Sequence, residues 1–122
     1  MEKDLYLEVK RLAVVFKSLA HPNSCLILII LKQTNKEISF SEIYNKVNIC
    51  LGRKVNPNSV WRNLKALKKA GLLTEKKLMR INPETGKCRI RFYRLNAFGE
   101  SILNWLLALE EIRNLENSVK GG

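Results

Sequence analysis

The apolar positions of this chain keep a helical spacing, switch to alternation, and then return to helical spacing. Leu5, Val9, Leu12, Phe16 and Leu19 recur three or four residues apart, with Lys10, Arg11 and Lys17 between them, which predicts a first helix ending near Ala20. His21-Pro22 follows. Pro22 suits the first turn of a second helix, where its missing N–H costs nothing, and His21 suits the cap before it. Leu26, Ile27, Ile30 and Leu31 make that second helix apolar nearly all round, so it is expected at the centre of the core. Ile38 suits a short strand, and Ser39-Phe40-Ser41-Glu42 is a capping-box pattern opening a third helix lined by Phe40, Ile43 and Val47. Asn48 to Val55 connects, with Gly52 free to turn left-handed. Asn56 and Pro57 then suit the cap and first turn of a fourth helix. Val60, Leu64 and Leu67 face inward on it, and Gly71 is its expected left-handed stop.

Beyond Gly71 the period drops towards two. Thr74 to Ile81 and Cys88 to Leu95 read as strands, joined by Asn82-Pro83-Glu84-Thr85-Gly86-Lys87, in which Pro83 presets φ and Gly86 supplies a positive one. Cys88, Ile90 and Phe92 alternate with Arg89 and Arg91, predicting one buried and one cationic face. The first strand alternates poorly, because Leu78 and Met79 are adjacent. Asn96 caps a last helix from Ala97 to about residue 116. Two short helices, a connector and a hairpin predict a mainly α fold with a small β-hairpin wing: a winged helix-turn-helix of five helices, one domain over residues 1–122.

Charge sharpens this picture. Residues 53–94 hold thirteen Lys or Arg against two acids, Glu75 and Glu84, so the formal +11 of the chain lies in that stretch and the remainder is neutral. A basic helix beside a basic hairpin suits a phosphate backbone, whose neutralisation supplies most non-specific DNA affinity. A basic helix face is often only a solvated surface, but here the bias spans helix and hairpin together. The second helix of a helix-turn-helix pair presents its N-terminal residues to base edges in the major groove. Those residues are Asn58, Ser59, Trp61 and Arg62. Arg62 has the donor geometry for guanine and Asn58 for adenine. Lys65 and Lys69, about one and two turns on, reach more naturally to phosphates. Arg80, Lys87, Arg89 and Arg91 on the wing suit the backbone or the minor groove. Trp61 is equally suited to stacking in the groove and to packing against the wing.

Other chemistry is not indicated. Cys25, Cys50 and Cys88 are widely spaced, lack a CxxC pair or a neighbouring His, and sit among apolar residues, so buried thiols are expected rather than a metal or a disulfide. No phosphate-binding glycine motif and no carboxylate pair occurs, so neither an enzyme nor a cofactor is expected. The longest apolar run, Cys25 to Leu31, is short and followed by Lys32, and the first residues, Met1-Glu2-Lys3-Asp4, lack an apolar signal region. No membrane association and a cytoplasmic, nucleoid-associated protein are expected.

Three runs carry a resemblance: Phe16-Lys17-Ser18-Leu19-Ala20-His21-Pro22, Val60 through Leu73, and Tyr93-Arg94-Leu95-Asn96 with Gly99. In these the chain resembles the ArsR-type winged-helix transcriptional regulators of archaea and bacteria, from about Leu12 to Leu107. The recognition-helix pattern is shared with MarR-like and other winged-helix regulators. The resemblance implies a homodimer on double-stranded operator DNA. The chain departs from the family at Ser24, where an Arg is frequent, and at Asn63, where a His is frequent. Ser41 to Asn45 lacks the Cys-x-Cys of the metal-sensing members, so metal sensing is not carried over.

The last helix carries more apolar residues than one face needs. Trp105, Leu109, Ile112 and Leu115, with Leu5, Val9 and Leu12 of the first helix, are the expected dimer surface, making the helices at about 4–20 and 97–116 dimerisation elements. The expected function is a dimeric, sequence-specific transcriptional regulator. The alternatives are a non-specific architectural DNA binder and a winged-helix module binding RNA or a protein partner.

Overall fold

The computed structural model describes residues 2–108 and 110–121, with residues 2–4, 110–113, 115 and 121 described by their backbone. Six helices and a three-stranded antiparallel sheet follow one another as α1 (Glu2–Leu19), α2 (Pro22–Thr34), β1 (Ile38–Ser39), α3 (Phe40–Leu51), α4 (Pro57–Lys69), β2 (Leu73–Asn82), β3 (Gly86–Leu95), α5 (Ala97–Leu106) and α6 (Glu110–Gly121).

α2 is the centre. Ser24 to Leu31 are all buried, and α2 touches every other helix and β3. His21 caps it, its Nδ1 accepting from the Asn23 amide at 3.2 Å. α1 is held on this core by Val15, Ser18 and Leu19, while Leu5, Val9, Leu12 and Phe16 stand exposed. Ser24 Oγ and Asn63 Nδ2, at the two positions where the chain departs from the ArsR pattern, are buried without a hydrogen-bond partner among the described residues.

Local side-chain chemistry sets the start of α4. The Ser39 hydroxyl accepts from the Glu42 amide at 3.2 Å and caps α3, whose Ile43 and Val47 are buried. α3 stops at Gly52, which adopts the left-handed φ of 65° that a side chain would strain. The connector is then tied back to α3. The Tyr44 hydroxyl donates to the Val55 carbonyl at 2.7 Å, and Asn48 Oδ1 accepts from the Val55 amide at 2.9 Å. Asn56 caps α4 by accepting from the Asn58 amide, Pro57 occupies the first turn, and Val60, Leu64 and Leu67 are buried as expected.

The wing is longer than its sequence pattern suggested. β2 and β3 pair from Leu73↔Leu95 to Asn82↔Gly86, and β1 pairs with the other edge of β3 through Ile38↔Tyr93. One face carries Glu75, Lys77, Met79 and Ile81 opposite Tyr93, Arg91, Arg89 and Lys87. The other carries Lys76, Leu78 and Arg80 opposite Phe92, Ile90 and Cys88. The expected buried face is only half-buried at Ile90 and Phe92, and Cys88 is exposed. The outer rows of the hairpin are exposed. Of the three thiols, Cys25 is buried and its pKa is pushed up by that burial, while Cys50 is half-buried.

The last helix is two helices, which corrects the expected five to six. The chain turns at Leu107 and Ala108, residue 109 lies outside the described residues, and α6 returns against α2, burying Val119. A straight helix would have carried that side chain off the core.

Asn96 closes the wing onto α4. Its Oδ1 accepts from the Gly99 amide at 2.7 Å and its Nδ2 donates to the Gly71 carbonyl at 2.8 Å. Gly99 lies so close that a Cβ there would strike the Leu72 carbonyl and the Leu95 side chain. Gly99→Ala is therefore expected to cost about 1–3 kcal/mol through overpacking against backbone, lowering the urea midpoint at unchanged slope. At Gly52 a Cβ meets open space, so Gly52→Ala is strained only by its φ and is expected to cost about 1 kcal/mol. Equal stability of Gly99→Ala and the parent protein would contradict this packing.

Candidate nucleic-acid interface

The two basic elements form one surface because Trp61 and Glu75 join them. Trp61, on the outer side of α4, is 36% exposed. The Lys65 ammonium lies 4.9 Å from its ring centroid and the Arg91 guanidinium of β3 lies 5.7 Å from it. Such contacts are worth about 0.5–1 kcal/mol each where exposed. Trp61 thus packs against the wing, one of the two roles expected of it.

Glu75 makes the second join. Its side chain is only 8% exposed, with the Lys68 ammonium of α4 at 3.3 Å and the Lys77 ammonium at 3.8 Å. Burial pushes its carboxyl up, but hydrogen bonds from Lys68 and Tyr93 and the charges of Lys68 and Arg91 outweigh this and hold it below the ordinary carboxylate range. The reciprocal effect falls on Tyr93, whose hydroxyl is pushed up to about 12 by burial, by the Glu75 charge and by their hydrogen bond. The lone acid at the base of the basic stretch therefore stays ionised and binds helix to wing. Lys68, Glu75, Lys77 and Tyr93 were not among the residues singled out from the sequence. One acid set seven residues after a Lys across a helix stop, amid so many cations, was the available signal.

The remaining candidates divide by position. Asn58 and Arg62 are exposed near the start of α4, and Arg62 Nε donates to the Asn58 carbonyl at 3.4 Å; Ser59 is half-buried. Lys65 joins Trp61 and Arg91 in a cleft between α4 and the wing. Lys69 does not: it lines a separate groove of about 650 Å³ with Glu8, Arg11 and Leu12 of α1. Lys87, Arg89 and Arg91 share the wing face turned to α4, whereas Arg80 projects from the opposite face. Arg80 and Arg89 also line a groove of about 680 Å³ between the wing and the start of α3.

On the far side, α1 and α5 present an apolar surface. Leu5, Val9, Leu12 and Trp105 are all exposed, Trp105 at 58%, and the Trp105 ring lies 6.4 Å from that of Phe16. Leu109 lies outside the described residues, as do the side chains of Ile112 and Leu115. Among the described residues no cluster of three or more His, Cys, Asp or Glu is placed to hold a metal, and no single helix is long and apolar enough to cross a membrane.

No protein-family profile matches the chain, and no curated protein matches it in sequence. Solved structures do match its fold. A PadR-like transcription factor from Bacteroides fragilis superposes with a TM-score of 0.56 at 19% identity, over 97% of either chain. A PadR family transcriptional regulator from Eggerthella lenta gives 0.52 at 16% identity, over 85% of this chain and 84% of that one. Bacillus subtilis PadR, solved in complex with operator DNA, gives 0.53 at 24% identity, over 67% of this chain and 47% of the longer PadR chain. At such identities the likeness is one of fold. The chain has the winged-helix architecture expected from its pattern of elements, and the three neighbours named here that share it are PadR or PadR-like regulators rather than ArsR-type ones.

The Glu75 join has a pH signature. Folding holds its carboxyl below the unfolded value, so its stabilisation is complete above the ordinary carboxylate range and is lost as pH falls through the folded value. Glu75→Gln is expected to cost about 1 kcal/mol at neutral pH, since both ammonium partners are half-exposed. Denaturant titrations at falling pH should show the gap to the parent protein closing in acid. A gap that stays constant with pH would rule out an ionised Glu75 as the join.

Proposed function

We propose that this protein is a sequence-specific DNA-binding transcriptional regulator acting as a homodimer at operator DNA, in the cytoplasm on the nucleoid. The observation that carries the reading is that the positive charge excess of the chain lies in residues 53–94, mostly on α4 and the wing, which join at Trp61 and Glu75 into one surface. Asn58 and Arg62 at the start of α4 read base edges in the major groove, with Ser59 beside them. Lys65 and Arg91, from either side of Trp61, hold phosphates. Lys87 and Arg89 follow the flanking backbone, Arg80 meets it from the other wing face, and Lys69 takes a phosphate at the far end of α4. The operator complex of the Bacillus subtilis neighbour supports the same partner for this fold. The ArsR-like runs Phe16–Pro22 and Val60–Leu73 support an ArsR-type lineage within it.

The dimer reading rests on the exposed apolar face of α1 and α5, which a monomer would leave in water. A two-fold axis through Leu5, Val9, Leu12 and Trp105, extended by Leu109, Ile112 and Leu115, sets two α4 helices roughly 34 Å apart, one turn of duplex. That face belongs to the neutral part of the chain, so two copies meet without charge repulsion.

Duplex binding is expected to weaken with salt at a log–log slope of about −0.9 per phosphate neutralised. Arg62→Ala should relax preference at one base pair by about 1–3 kcal/mol, while Arg89→Ala weakens all sequences alike. If random duplex competes as well as a selected sequence, the protein is an architectural binder; if A-form RNA competes best, it is a ribonucleoprotein module. Trp105→Glu should sediment as a monomer where the parent sediments as a dimer, and a monomeric parent would contradict the proposed interface.

A further inference from the structure

Three large apolar side chains of β2 stand exposed in the most cationic part of the molecule: Leu78, on the face with Ile90, and Met79 and Ile81 together on the other face. Met79 is 58% exposed and Ile81 is 76% exposed, both on β2. The strand register puts them opposite Arg89 and Lys87, on the wing face that further down carries Arg91 against Trp61 and Glu75 against Lys68. The face turned towards the recognition helix therefore has two columns near its tip: an apolar one, Met79 and Ile81, and a cationic one, Arg89 and Lys87. The apolar face of α1 and α5 belongs to other elements and does not account for the first column.

We infer that the Met79–Ile81 column is a wedge that enters the minor groove of duplex DNA and opens a base step. The inference rests on the duplex-DNA reading proposed above and adds what the wing does to the duplex. Directly opposed columns of a hairpin stand about 4.5–5.5 Å apart, and the minor groove is about 6 Å wide. One column fits inside the groove while its partner lies over the wall, which is a phosphate strand. Charge decides which goes where: Lys87 and Arg89 belong at the phosphates, leaving Met79 and Ile81 for the groove. Ile and Met are among the side chains that unstack base steps and bend DNA towards the major groove. Pyrimidine–purine steps open most easily. Glu84, the one acid near the tip, sits beyond this column in the turn, where its amide donates to Asn82 Oδ1, so the column rather than the turn makes the contact.

The test uses a 30-base-pair duplex of alternating dA and dT, rich in pyrimidine–purine steps, labelled at both ends for energy transfer and carrying 2-aminopurine at one central adenine. The parent protein should raise the 2-aminopurine fluorescence at least about twofold and shorten the end-to-end distance, and should do neither on a homopolymeric dA·dT duplex. The double variant Met79→Ser with Ile81→Ser should lose both signals while its salt slope matches the parent, because no charge is removed. Met79→Leu with Ile81→Leu should keep them. Parent protein that binds the alternating duplex without unstacking or bending it overturns the wedge and leaves the DNA reading standing. So does a serine variant that unstacks as well as the parent. Parent protein that fails to bind either duplex even at low salt, where phosphate neutralisation alone should hold it on any duplex, overturns both. Loss of binding to phosphatidylserine vesicles in the serine variant, with duplex behaviour unchanged, assigns the column to a membrane and overturns the wedge.

Discussion

The fold depends on burying α2. Eight consecutive residues, Ser24 to Leu31, are buried, and a helix that is apolar on every side has no stable state until every side is covered. Each buried Leu or Ile is worth about 1.5–3 kcal/mol relative to exposure. Satisfying that one helix draws in α1, α3, α4, α5, α6 and β3. The consequence for function is positional. α4 and β3, the inner strand of the wing, both pack on α2, so their spacing is set by core packing. The return of α6 against α2 has the same origin: the C-terminal segment supplies Val119 to a surface that α5 alone does not cover.

With that core in place, the molecule sorts its charge. Mounting eleven cations on α4 and the wing is self-repulsive, and Glu75 is where this repulsion is relieved, set between Lys68 and Lys77 and held by Tyr93. Arg91 and Lys65 find a different relief over the Trp61 ring. These joins make the angle between wing and helix a property of the folded protein. A surface organised before it meets a ligand loses less conformational entropy on binding, which suits the proposed task of aligning bases and backbone together. The opposite side carries no such excess and exposes Leu5, Val9, Leu12 and Trp105, so the two faces suit different partners.

Much of this was legible because the signals are local. A cap or a turn is decided by two or three neighbouring residues, and Pro22, Ser39, Gly52, Asn56 with Pro57, Gly71, Gly86 and Asn96 all stand where their chemistry predicts. What was not legible depends on distant parts of the chain. The break after α5 follows from where α2 still needs cover, and no residue between Leu106 and Glu110 is a helix breaker. The exposure of the wing depends on where the helices lie, which alternation cannot report; Cys88 reads as a core residue and stands in solvent. Arg62, Lys65 and Arg91 were picked out from charge and from helix or strand phase, and the last two meet at the Trp61 ring. Glu75 was passed over because its partner Lys68 lies across a turn whose direction the sequence does not state.

The central claim is that the joined surface of α4 and the wing reads duplex DNA as a two-fold pair. The most direct measurement is selection of bound duplexes from a random-sequence pool at physiological salt, followed by sequencing. The account predicts enrichment of an inverted repeat whose half-site centres lie about 10 base pairs apart, one helical turn. A pool that is bound and recovered without enrichment, or one that yields a single unrepeated site, would contradict it.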